Sequence, residues 1–151
     1  MNNRIPPPLV ATLFGLLAWL AARYLPGSLE LAVEWRMGLA LIVFLAGVAV
    51  CLAGVLSFRR ARTTVNPLKP ETASALVSSG VYRYTRNPMY LGFATVLVAW
   101  SILLAWPPAL LGVVGFVIYM NRFQIGPEER ALASLFGSDF TQYCRQVRRW
   151  L

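Results

Sequence analysis

Ser79-Gly80-Val81-Tyr82-Arg83-Tyr84-Thr85-Arg86-Asn87-Pro88-Met89-Tyr90-Leu91-Gly92 is the stretch at which a basic polar loop turns into a long apolar run. It marks the point where the chain leaves water and enters a membrane. Asn87 followed by Pro88 has the form of a helix N-cap and first helical residue, because proline has no N–H to lose there and its φ suits the first turn. A helix is therefore expected to begin at Pro88. Its open backbone N–H groups, with Arg83 and Arg86, would make a positive mouth suited to a carboxylate or phosphate. Tyr82, Tyr84 and Tyr90 add aromatic walls and hydroxyls. A capped membrane helix with interfacial arginines and tyrosines accounts for the same residues without any site.

Outward from this stretch, apolar blocks set the class. The chain has 151 residues, 58% of them hydrophobic, and its apolar runs are too long for a soluble core. Leu9 to Ala22 is uncharged, and the run extends to Leu25 if Arg23 reaches back to the interface. Met37 to Phe58 is uncharged for 22 residues, and Pro88 to Asn121 for 34. Trp106-Pro107-Pro108 divides the last run, since consecutive prolines cannot continue a helix. The expectation is an all-α integral membrane protein with four spans at about 9–25, 37–58, 88–106 and 108–124. A cytoplasmic loop over 63–87 and a helical segment over 127–148 complete one domain covering 1–151. Pro6-Pro7-Pro8 and the lack of a clear small-residue cleavage site favour a retained N-terminal anchor over a signal peptide.

Four spans put both termini on one side, and Lys and Arg choose it. Twelve of the 14 cations, from Arg4, the loop between spans two and three and the last thirty residues, share that side; Arg23 and Arg36 lie on the other. By the positive-inside rule the twelve are cytoplasmic. Topology and anionic lipid headgroups then account for the net charge of +8, which argues against nucleic acid as a partner. With no histidine and only Cys51 and Cys144, a metal site or a Ser-His-Asp or Cys-His unit has almost nothing to be built from.

The first two spans read as scaffold, with Gly38, Gly47 and Gly54 available for close helix packing. The loop from Thr63 to Gly80 is longer than an anchor needs and carries the apolar piece Ala75-Leu76-Val77, which reads as an ordered segment on the membrane surface. Farther on, Gly126-Pro127-Glu128-Glu129 is a helix start with acids at the positive end. Leu132, Leu135, Phe136, Phe140, Tyr143 and Val147 form an apolar stripe around a break at Gly137-Ser138. This segment is expected to fold down onto the loop before span three. For the glutamate pair, capping plus pairing with an arginine competes with a ligand contact. Arg122, near the end of the fourth span, is expected to reach the interface or to line a polar cavity.

Leu76-Val77-Ser78-Ser79-Gly80-Val81-Tyr82, then Arg86-Asn87-Pro88-Met89-Tyr90-Leu91-Gly92, then Glu128-Glu129 with Leu132 and Phe136-Gly137, ending in Tyr143, Val147 and Arg149-Trp150, resembles the isoprenylcysteine carboxyl methyltransferase and phospholipid methyltransferase superfamily. The match runs from about residue 63 to the end. The resemblance implies a membrane methyltransferase that uses S-adenosylmethionine and releases S-adenosylhomocysteine. It implies cofactor contacts from Ser74, Ala75, Leu76, Val77 and Tyr82, from Asn87, Pro88, Met89 and Tyr90 at the helix start, and from Glu128 to the cofactor's positive charge. Two positions depart from the isoprenylcysteine pattern: Asn87 stands where those enzymes have histidine, and Gln124 stands at the substrate arginine, with Arg122 two residues earlier. Arg122 and Gln124 are therefore the candidates for the acceptor side.

The implied partners are membrane lipids and a lipophilic acceptor, with no metal and no nucleic acid. A carboxylate acceptor would need no general base, which suits a chain without histidine. A phospholipid amine is the alternative acceptor, and a non-enzymatic four-span scaffold with a lipid-binding basic face is the alternative of another class.

Overall fold

The computed structural model describes residues 5–61 and 75–151. Among these every regular element is helical. In chain order they are α1 (Pro7–Tyr24), α2 (Val33–Arg60), a 3₁₀ turn (Gly80–Arg83), α3 (Pro88–Leu104), a second 3₁₀ turn (Pro107–Ala109), α4 (Leu110–Tyr119), a π-turn (Met120–Ile125) and α5 (Gly126–Gln146).

α1, α2 and the continuous run from Pro107 to Gln146 are each long and apolar enough to cross a membrane, and α3 is a shorter apolar helix. At 17 residues α3 is about 25 Å long, just under the hydrocarbon thickness. Leu9, Leu13, Leu17 and Leu20 on α1, and Leu39, Ile42, Leu45, Leu52 and Leu56 on α2, are exposed. So large an uncovered apolar surface is what lipid covers. The chain is an all-α integral membrane protein.

The core is small and lies at the α1–α3–α4 junction. Val10, Tyr90, Ala94, Leu97, Phe116, Met120 and Ile125 are buried together. Trp100 ties α3 to α1 by donating from Nε1 to the Gly15 carbonyl at 3.0 Å. α2 lies along α3 at near-backbone contact. Gly47 and Gly54 are buried there, and the Cys51 thiol donates to the Met89 carbonyl at 3.2 Å. Gly38 differs from the expectation: a Cβ built on it meets nothing within 4 Å, so it is not a packing glycine.

Two boundaries differ from the sequence reading. α3 ends at Leu104, because Ala105 takes the left-handed conformation (φ 47°) and its N–H returns to the Ile102 carbonyl. Trp106 is then buried and donates from Nε1 to the Pro26 carbonyl at 3.1 Å. The Leu29 N–H reaches the Ala105 carbonyl at 2.7 Å, so the α1–α2 connection is sewn to the hairpin. The second difference is the absence of a break at Gly126. The fourth span runs through the π-turn straight into α5, and the Gly126 N–H bonds the Asn121 carbonyl five residues back. A proline inside an α-helix clashes with the carbonyl four residues before it; the wider π-turn makes room for Pro127. The break at Gly137 is present, with φ 49° and ψ −117° inside α5.

Candidate active site

The segment entering α3 is shaped by Gly80. Its φ of +63° is a backbone setting that favours glycine, and a Cβ there would come within 2.9 Å of Ser57 Oγ. The 3₁₀ turn that follows buries Tyr82 edge-on against Phe58 at the end of α2, with ring centroids 5.3 Å apart. Tyr143 on α5 donates its hydroxyl to the Tyr82 carbonyl at 2.7 Å. α5 thus folds onto the loop before α3, and Phe140, Tyr143 and Val147 pack with Leu76.

Pro88 does begin α3, but Asn87 does not cap it: its side chain makes no capping bond. Thr85 Oγ1 accepts the Asn87 N–H at 3.1 Å, and Asn87 Nδ2 donates to the Arg149 carbonyl at 2.9 Å. The amide is engaged by a distant backbone group instead of its own helix.

The glutamate pair divides its work. Two neighbouring helical residues point about 100° apart. Glu129 faces arginines: Oε1 accepts from Arg86 at 2.9 Å and from Arg149 Nε at 3.1 Å, and Oε2 from Arg149 at 2.5 Å. Glu128 faces inward, and the Tyr90 hydroxyl donates to its Oε2 at 2.9 Å. Gln124, 2% exposed, hydrogen-bonds the same phenol from the π-turn.

One cavity gathers most of the residues singled out from sequence. Ala75, Leu76, Val77, Tyr82, Asn87, Met89, Tyr90 and Glu128 line it. Pro88 is buried just behind, against Gly54. Ser74 lies outside the described residues. Arg122 is exposed and is not part of this lining. Gln124 takes the interior place, bonded to Tyr90. The sequence reading did not place Phe58, Ile125, Leu132, Phe140 and Tyr143 at this cavity, which they also line. The apolar stripe of α5 pointed to the last three as packing residues; nothing local distinguished Phe58 from an interfacial aromatic.

The cavity is chemically lopsided. Two carboxylates line it: Glu128 sits among aromatic and aliphatic walls, whereas Glu129 is taken up by Arg86 and Arg149, and Arg86 also donates to the Cys144 carbonyl at 3.1 Å. Such a site suits a ligand with positive charge beside a flat apolar body. Burial, and then the Glu128 charge, raises the Tyr82 phenol well above its usual range. The sign follows: above pH of about 10 the unfolded chain loses this proton while the folded chain keeps it, so stability falls as pH rises. The expected loss is roughly 1 kcal/mol per pH unit above 10. Thermal unfolding of Tyr82→Phe in detergent between pH 9 and 11 should show a shallower decline than the parent chain.

Residues 35–139 match the model of the family described as phospholipid methyltransferase. The chain belongs to the phospholipid methyltransferase family. Several proteins that it resembles are named isoprenylcysteine O-methyltransferases. It is 29% identical over 116 residues to protein-S-isoprenylcysteine O-methyltransferase A of Arabidopsis thaliana, covering 75% of this chain and 57% of that protein. It is 33% identical over 82 residues to the Saccharomyces cerevisiae protein-S-isoprenylcysteine O-methyltransferase, covering 52% of this chain and 33% of that one. An uncharacterized Haemophilus influenzae protein is 44% identical over 63 residues, 42% of this chain and its own full length. The chain therefore spans little more than half the length of the Arabidopsis relative. The matched region carries the cavity through Glu128 and Leu132, but Phe140, Tyr143 and the Arg149-Trp150 segment fall beyond it.

Proposed function

We propose that this member of the phospholipid methyltransferase family binds S-adenosylmethionine in the cavity between the start of α3 and α5, and methylates a lipophilic acceptor. The observation that carries this is the Glu128 carboxylate, hydrogen-bonded by Tyr90 and facing an aromatic-walled cavity where membrane helices meet a basic surface. The residues present fit such a group. Glu128 would meet the cofactor's positive charge, Tyr82 and Phe58 would wall it, and the first turn of α3 would offer N–H groups to its carboxylate. Bound there, S-adenosylmethionine would supply a methyl group already activated on a sulfonium, with S-adenosylhomocysteine as the product.

The protein's part is to align the two reactants and to keep water out, and positioning of this kind accounts for most of the acceleration in such a transfer. Tyr90 and Gln124 fix the Glu128 rotamer, so the charge that holds the cofactor is preset. By the positive-inside rule the basic face and the cavity are cytoplasmic, and the acceptor comes from the bilayer. A carboxylate acceptor keeps the relation to the isoprenylcysteine enzymes. A phospholipid amine is favoured by a separate observation: Arg86 is the cavity's guanidinium among the described residues, and two of its nitrogens are already given to Glu129 and Cys144.

The experiment is calorimetric titration of the detergent-purified chain with S-adenosylmethionine and S-adenosylhomocysteine, followed by transfer of a labelled methyl group to extracted membrane lipids. Saturable binding in the micromolar range is expected. Label released by base identifies an ester, and base-stable label an amine. No binding by a folded sample would leave the non-enzymatic scaffold as the reading.

A further inference from the structure

After α5 the backbone turns extended at Val147, with φ −124° and ψ 133°, and the segment that follows bonds in two directions. Its backbone carbonyls face the entry to α3. The Arg148 carbonyl accepts the Arg86 N–H at 3.0 Å, and the Arg149 carbonyl accepts Asn87 Nδ2 at 2.9 Å and the Thr85 hydroxyl at 3.3 Å. Its side chains face the π-turn and α5. Trp150 Nε1 donates to Asn121 Oδ1 at 3.1 Å, Arg149 reaches the same oxygen at 3.4 Å, and Arg149 also grips Glu129 with two nitrogens. The Trp150 ring packs on the cluster that contains Tyr90 and Ile125.

The two elements bridged in this way are those that must meet at the cavity. Tyr90 is on α3 and Glu128 on α5, 38 residues apart in sequence and joined by one hydrogen bond. The angle at which Glu128 arrives is set by the π-turn, since one extra residue rotates everything beyond it by about 100° relative to a regular helix. A π-turn is a rare and weakly favoured piece of helix. Asn121, its second residue, is held from outside by both Arg149 and Trp150.

We infer that Arg149 and Trp150 are positioning residues: acting on Asn121, they hold the π-turn in the register that aims Glu128 at Tyr90. This rests on the cofactor site proposed above and adds to it a second set of residues, none of which lines the cavity. Trp150→Phe keeps an aromatic ring and removes the donor, whereas Asn121→Leu keeps the branched shape and removes the acceptor. Each is expected to weaken S-adenosylhomocysteine binding about tenfold. In a Tyr90→Phe background, where the pair they align is already broken, the same substitutions should cost less than twofold, while their effect on the thermal midpoint stays the same in both backgrounds.

A tenfold loss that persists in the Tyr90→Phe background overturns the inference, as does unchanged affinity in both. A second readout needs no nucleotide. With tyrosine labelled by carbon-13 at Cζ, the Tyr90 resonance, assigned by its loss in Tyr90→Phe, should move in Trp150→Phe and Asn121→Leu. It should not move in Trp106→Phe, a substitution at the opposite end of the fold. An unmoved Tyr90 signal in the first two variants also overturns it. If the parent chain binds no S-adenosylhomocysteine, the functional reading fails, and the positioning role stands or falls on this resonance.

Discussion

Glu128→Gln is expected to lower the affinity for S-adenosylmethionine by about a hundredfold or more while leaving the thermal midpoint nearly unchanged. Removing one member of a buried, hydrogen-bonded charge pair across an interface costs 2–5 kcal/mol, and about 3 kcal/mol corresponds to more than a factor of 100. The amide oxygen of glutamine still accepts the Tyr90 hydroxyl, so that hydrogen bond survives while the charge disappears. Tyr90→Phe should be milder, roughly tenfold, because it removes a neutral donor to a carboxylate that remains. Glu129→Gln should do the reverse of Glu128→Gln. It loosens Arg86 and Arg149, lowering stability more than affinity. Calorimetric titration beside thermal unfolding in the same detergent separates the three. Normal affinity in a folded Glu128→Gln protein would remove Glu128 from the cofactor site and, with it, the observation on which the function rests.

What could be read in advance depended on whether the deciding interaction was local. The membrane spans were legible because the bilayer demands an uninterrupted apolar run, and a run is visible residue by residue. Pro88 was legible as a helix start for the same reason: the missing N–H and restricted φ act within one turn. Asn87 was misread as a cap because its actual partner, the Arg149 carbonyl, is 62 residues away. No local pattern competes with that. The π-turn left no local trace either. Gly126-Pro127 suggested a fresh helix start, whereas the chain accommodates the proline by widening the preceding turn. Arg122 and Gln124 illustrate the consequence: two residues apart in one turn, they lie on different faces, and the amide rather than the guanidinium is inside. The same limit applies to the acids. Both acids line the cavity; which of them meets Tyr90 and which meets the arginines depends on the rotation of α5, which the π-turn sets, and it was the resemblance that pointed to Glu128.

Gly92→Ala is expected to be the most damaging single-methyl change in the chain. Gly92 lies on α3 where α2 crosses it, and a Cβ there would come within 2.4 Å of Cys51 Sγ, 2.6 Å of the Gly47 carbonyl and 3.0 Å of the Cys51 nitrogen. Two of those three atoms are backbone, so relief requires the helices to move apart and not merely a rotamer change. Overpacking of a well-packed core costs 1–3 kcal/mol where side chains can adjust; here about 3 kcal/mol or more is expected. Separation of α2 from α3 also withdraws Phe58 from Tyr82 and Gly54 from Pro88, two contacts beside the cavity. Cofactor affinity should therefore fall together with stability, unlike in Glu128→Gln. Gly38→Ala is the matched comparison on the same helix pair. Its Cβ meets nothing within 4 Å, so helix propensity alone acts and should stabilise the protein by roughly 0.5–1 kcal/mol. The yield of folded protein in detergent and its thermal midpoint report both. If Gly92→Ala were as stable as Gly38→Ala, α2 and α3 would not be in backbone contact, and the placement of Phe58 against Tyr82 would have to be redrawn.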